Sequence, residues 1–136
     1  AIIKDQFSAS ALKTLLVCGK ATDVSSEKQM GNCTVVPFLN AAQLNQAICA
    51  TDVVICRSGY SSVMDLATLE KKVIFIPTPG QTEQEYLAEY FQQKTVAPCY
   101  KQSDFELNTA LMEVKKYSGF HSFEGKNNLR TIIAQL

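Results

Sequence analysis

Asp52-Val53-Val54-Ile55-Cys56-Arg57-Ser58-Gly59-Tyr60-Ser61-Ser62-Val63-Met64-Asp65 is the stretch on which the fold turns. Its first five residues are a short, largely β-branched apolar run, and its last four open a segment of helical spacing. A strand apolar at successive positions is expected to be covered on both faces, as strands of parallel sheets are. Between the two halves, Gly59 and two serines are expected to make a sharp turn from strand into helix.

Outward from this unit the same alternation repeats. Strands are expected near Thr14 to Cys18, Cys33 to Pro37, Asp52 to Cys56, Val73 to Ile76 and Thr95 to Cys99. Helices are expected near Ile2 to Ser10, Ala41 to Ala50, Ser62 to Glu70, Glu83 to Gln93, Asp104 to Lys116 and Gly125 to Gln135. Right-handed crossovers would lay those helices on both faces of a Rossmann-like, doubly wound parallel sheet, an α/β fold. With 136 residues the chain is expected to form a single domain, 1–136. It opens on a helix where such a sheet normally opens on a central strand, which suggests a fragment of a longer protein.

Thirteen basic and thirteen acidic residues give no net field, so nucleic acid is not an expected partner. No apolar run reaches membrane-spanning length, and no leader pattern opens the chain. The five cysteines (Cys18, Cys33, Cys49, Cys56, Cys99) form no C-x-x-C pair and read as buried, reduced thiols of a cytoplasmic protein. His121 has no second histidine to join it in a metal site, and a surface loop is its plain reading. Neither a metal nor a cofactor is expected.

In an open parallel sheet, ligands bind beyond the carboxyl ends of the strands. Two junctions are built for that. At the first, Arg57 offers a charged fork, and Ser58, Gly59, Tyr60, Ser61 and Ser62 are expected to aim helix N–H groups at an anion. Asp65, expected in the first helical turn, suits a vicinal diol such as a ribose. Ser62-x-x-Asp65 is equally a candidate capping box. At the second junction, Phe75-Ile76-Pro77-Thr78-Pro79-Gly80-Gln81-Thr82-Glu83-Gln84-Glu85 breaks at proline and glycine before a helix, and its polar residues suit sugar hydroxyls. Thr82-x-x-Glu85 is a competing cap there. Gly19-Lys20 is a lesser candidate whose plain reading is a solvated turn. Phe38 and Leu39 can wall a flat base, or Phe38 can pack in the core.

At these residues the sequence resembles the C-terminal donor-binding domain of GT-B glycosyltransferases. Within them it is most like glycosyltransferase family 28, which contains the peptidoglycan N-acetylglucosaminyltransferase. That family carries an "aDvvvcRSGa-x-t-x-x-E" segment, matched by Asp52 to Gly59, then an apolar strand ending in proline and a glutamine-bearing helix start, matched by Ile76-Pro77 through Gln84. The plant secondary-product enzymes show a related frame. The likeness covers roughly Leu15 to Cys99.

The resemblance implies one half of a GT-B fold that binds a UDP-sugar and transfers a hexose or N-acetylhexosamine to an acceptor. It implies that Arg57, as the catalytic group, and the backbone of Ser58 to Ser62 hold the diphosphate, and Asp65 the ribose. Gly80, Gln81, Thr82, Glu83 and Gln84 would line the sugar, and the backbone at Leu39 the uracil. Asp65 is shorter than the family's Glu, and Glu85 stands where a second Gln is usual. The family's first strand would lie inside the sheet and precede Ala1. An acceptor-binding N-terminal domain or partner subunit would supply the base and any peripheral membrane contact. A nucleotide-sugar hydrolase or epimerase, a split membrane-associated transferase and a non-catalytic interaction module remain alternatives.

Overall fold

A computed structural model describes residues 2–18, 27–120 and 131–135. Along the chain it forms α1 (Ile2–Ala9), β1 (Lys13–Val17), β2 (Lys28–Met30), β3 (Cys33–Val36), α2 (Ala41–Cys49), β4 (Val53–Cys56), α3 (Tyr60–Thr68), β5 (Lys72–Phe75), α4 (Thr82–Gln93), α5 (Leu107–Glu113) with a 3-10 turn over Val114–Lys116, and β6 (Thr131–Gln135). Gly19-Lys20, His121 and the start of the helix expected from Gly125 lie outside the described residues.

The strands form one mixed sheet in the order β2-β3-β1-β6-β4-β5. Every pairing is parallel except β2 with β3, which corrects the expectation of a wholly parallel sheet. The antiparallel edge has a local cause. Gly31, at φ 62, and Asn32 form a two-residue connection between the paired residues Met30 and Cys33, the loop of a tight hairpin.

Alternation along the inner strands divides the core. Val53 and Ile55 of β4, with Ile74 and Ile76 at β5, join a cluster with Phe7 of α1 and Leu107, Ala110 and Leu111 of α5. Val54 and Cys56, with Val73 and Phe75, join a second cluster with Ile48 of α2, Val63 and Leu66 of α3 and Ala88 of α4. Side chains of a strand point alternately to opposite faces, so the two clusters are the two sides of the sheet. All four residues of β4 are buried, as its unbroken apolar run requires.

Three expected elements are corrected. Thr131–Gln135 is strand, not the end of a helix over Gly125 to Gln135. It pairs with β1 on one side and β4 on the other, in the interior of the sheet. Its Thr-Ile-Ile run is β-branched, and two strand partners override the helical spacing read from the sequence. The strand expected over Thr95 to Cys99 contracts to one parallel bridge between Phe75 and Cys99. Thr95 instead adopts φ 59 and closes α4: its N–H donates to Gln92 O, and that of Val96 donates to Phe91 O. This is a Schellman ending with a threonine where glycine is preferred. The helix expected from Asp104 starts at Leu107, capped by Glu106, whose carboxylate accepts from the Thr109 N–H.

A β-branched residue at positive φ is strained. Replacing Thr95→Gly should therefore raise unfolding stability by about 1 kcal/mol in a denaturant titration. An unchanged midpoint would show that the left-handed ending is not strained.

Candidate functional site

β4 and β5 run parallel with Cys56 opposite Phe75, so both strands end at the same edge of the sheet. Immediately beyond, the two chains are tied together. Ile76 N–H donates to Cys56 O at 3.0 Å. Ser58 is fully buried, and its hydroxyl donates to the carbonyl of Gln84 in α4 at 2.6 Å. The Gln84 side chain in turn accepts from the Thr78 N–H at 2.8 Å. Between them, Thr78-Pro79-Gly80-Gln81 is a tight turn closed by Gln81 N–H to Thr78 O at 3.1 Å, with Gly80 at φ 83. Proline second and glycine third are the residues a type II turn demands. Glu85 adds one more tie, accepting from the Gly80 N–H at 3.0 Å.

Arg57 lies in the same junction and is partly buried. One terminal nitrogen donates to the carbonyls of Ile76 at 3.0 Å and Pro77 at 3.3 Å, and the other donates to the Gln102 amide oxygen at 2.8 Å. Three of the five guanidinium N–H donors are thereby used, and two remain. The side chain thus clamps the end of β5 and the loop after Tyr100, besides whatever charge it offers outward. Desolvation lowers its pKa from the ordinary value, yet an arginine remains charged at any physiological pH.

The helix behind Arg57 begins at Tyr60, earlier than the expected Ser62. Its N-cap is Gly59, at φ −71 and ψ 149, with no side-chain cap bond. The first turn closes with Val63 N–H to Gly59 O at 3.0 Å, so the N–H groups of Tyr60, Ser61 and Ser62 have no intrahelical partner. α2 is the contrast: Asn40 accepts from Gln43 N–H while Gln43 accepts from Asn40 N–H, a complete capping box.

The two boxes expected from the sequence are absent. Ser62 is the third residue of α3, Asp65 stands in the second turn and not the first, and α4 is capped by Gln81 without a side-chain bond. Gly59 is not held there by its backbone angles, which any residue can adopt. A Cβ built on it meets nothing within 4 Å, so a side chain at this N-cap would stand in open space among the described residues.

The structure joins Arg57, Ser58 and Gln84 through bonds at one edge, with Gly80 tied in through Glu85. Tyr60, Ser61, Asp65, Gln81, Thr82 and Glu83 are exposed around that edge's helices, and no bond links their side chains to it among the described residues. Leu39 follows β3, which β1 and β6 separate from β4, and packs partly against the core, while Phe38 is half exposed rather than core. Gln102 was not legible in the sequence: it is 45 residues from Arg57, and no local spacing announces the contact.

Burial pushes the Cys56 thiol up to about 12 and raises that of Cys99 as well, which disfavours the thiolate at both. Cys33 and Cys56 are buried as expected, but Cys49 is exposed. Among the described residues no cluster of His, Cys, Asp and Glu is arranged to hold a metal ion, and no helix is long and apolar enough to cross a membrane.

Residues 2–127 match the model of the glycosyltransferase family 28 C-terminal domain. The chain belongs to that family. It is also similar to the UDP-N-acetylglucosamine–N-acetylmuramyl-(pentapeptide) pyrophosphoryl-undecaprenol N-acetylglucosamine transferase of Flavobacterium psychrophilum, with 41% identity over 68 residues. That stretch is 48% of this chain and 18% of the relative, so most of the relative's length has no counterpart in the match.

In this family 28 domain, the open end of α3 has a measurable consequence. Gly59→Asp supplies both a side-chain cap and a negative charge to the unpaired N–H groups. Unfolding stability should rise by about 0.5–1 kcal/mol in a denaturant titration. No gain would show that these N–H groups are already satisfied.

Proposed function

We propose that the chain is a single donor-binding unit, the C-terminal half of a GT-B glycosyltransferase, with a doubly wound sheet. It binds a UDP-sugar and serves transfer of a hexose or N-acetylhexosamine to an acceptor. Family membership supports a glycosyltransferase. The relative's name, which specifies a UDP-linked N-acetylglucosamine donor, favours the N-acetylhexosamine.

The observation that carries the reading is the uncapped N-terminus of α3 directly after a partly buried arginine. Helix N–H groups and the dipole favour an anion at such a place. The backbone of Gly59 to Ser62 and the two remaining donors of Arg57 would take the diphosphate. Glycosyl transfer builds negative charge on the departing diphosphate, so groups fixed in advance at that point lower the barrier electrostatically. Arg57 is the catalytic group in this sense.

Asp65, exposed on α3, would take the ribose hydroxyls, and the backbone at Leu39 the uracil edge. Gly80, Gln81, Thr82, Glu83 and Gln84 would meet the sugar. Gln84 suits the part because its oxygen is committed to Thr78 N–H, while its amide N–H donors carry no such tie among the described residues. The acceptor and the base that deprotonates it belong to an N-terminal domain or a partner subunit. That part also carries any contact with a membrane surface, and the reaction runs in the cytoplasm.

Titration calorimetry of the intact protein with UDP tests the site. Arg57→Ala should weaken UDP binding by about 1–3 kcal/mol, the loss of charge-assisted hydrogen bonds. Gly59→Asp should weaken it too while stabilising the fold, because the new carboxylate occupies the anion's place. Absence of UDP binding by the intact protein would point to an interaction module instead.

A further inference from the structure

Arg57 is held by partners from two different segments, and the second of them has no part in the donor reading given above. The carbonyls of Ile76 and Pro77 lie where β5 leaves the sheet. Ile76 N–H makes the last bond to the β4 side, on Cys56 O, and no backbone donor reaches either carbonyl among the described residues. The guanidinium fills that gap from one side. Two carbonyl contacts on one terminal nitrogen fix where the head of the side chain sits. The other terminal nitrogen is held separately, by the Gln102 amide oxygen.

The loop that presents Gln102 is anchored at both ends. At its start, Tyr100 N–H donates to Phe75 O at 3.0 Å, and the Tyr100 ring packs edge-on against Phe105 with centroids 6.0 Å apart. At its end, Phe105 is buried against Phe7, its carbonyl accepts from the Gln6 amide at 3.0 Å, and Leu107 N–H donates to the same Gln6 at 2.7 Å. Asp104 N–H closes the tip onto Lys101 O at 3.0 Å. The exposed Gln102 therefore rides on a short backbone span held at both ends, from which its amide oxygen meets the guanidinium at 2.8 Å.

We infer that Gln102 is a positioning residue: it orients Arg57 so that the two unused guanidinium donors face the diphosphate bound at the start of α3. The inference rests on the donor-site reading and adds to it a residue outside both strand-end junctions. An arginine with its head pinned at three points loses less freedom on gripping an anion than one that must be immobilised by the ligand itself.

The test is a double-mutant cycle on the intact protein with UDP as the probe, comparing Gln102→Met, Arg57→Ala and the double variant by titration calorimetry and thermal unfolding. Methionine keeps the length of the side chain and removes its acceptor oxygen. UDP affinity should fall about three- to ten-fold in Gln102→Met with the unfolding midpoint nearly unchanged. In the Arg57→Ala background the same change should have no further effect. Unaltered affinity in Gln102→Met overturns the inference, as does an equal loss in both backgrounds, which would mean that Gln102 acts on the ligand directly. Wild-type protein that fails to bind UDP defeats the donor-site reading itself and this inference with it.

Discussion

A guanidinium seated on the carbonyls of Ile76 and Pro77 is the constraint on which the edge of this sheet depends. β5 ends in a proline-rich turn that cannot continue a ladder, so its last acceptors need a donor from elsewhere. Arg57 reaches them from the adjacent strand end, and Gln102 holds it from the far side. Three segments distant in sequence are thereby fixed at one point. The buried Ser58 hydroxyl, bonded to Gln84 O, repeats the logic one residue on and locks α4 to the turn before α3. Removing Arg57 would leave acceptors unpaired as well as a charge missing, so its effects on binding and on folding belong together.

The helix ends around this edge are not treated alike. α2 has its first N–H groups satisfied by a reciprocal Asn40–Gln43 pair, and α5 has Glu106. α3 has only a glycine, in a conformation that does not require one, with empty space where a side chain would stand. A cap at that position would stabilise the fold, and the sequence forgoes it. Stability withheld at a helix N-terminus beside an arginine is what an anion-binding function asks for.

Much of the fold was legible because burial on both faces leaves a strong mark: the apolar runs of β4 and β5 could be little else. The hairpin at Gly31-Asn32 carried a readable turn dipeptide that strand-length scanning passes over, since Lys28-Gln29-Met30 lacks β-branched residues. β6 was misread because a short Thr-Ile-Ile-Ala-Gln segment fits helical and extended spacing equally, and only its neighbours β1 and β4 decide. Thr95 and Val96 look like a strand start, yet the left-handed closure of α4 claims them. Arg57, Ser58, Gly59 and Gln84 lie, as strand-end position suggested, at the junctions after β4 and β5. The expected capping boxes failed because α3 starts two residues early and α4 one, which moves Ser62, Asp65 and Thr82 inside their helices. Gln102 was invisible because a long-range contact through a loop leaves no periodic trace.

The most direct measurement is backbone amide NMR of the intact protein during titration with UDP. The account predicts the largest shifts at the amides of Tyr60, Ser61 and Ser62, the free donors at the head of α3, with smaller ones at Thr78 and Gln84. Saturable shifts that spare those three amides and gather elsewhere on the molecule would contradict it.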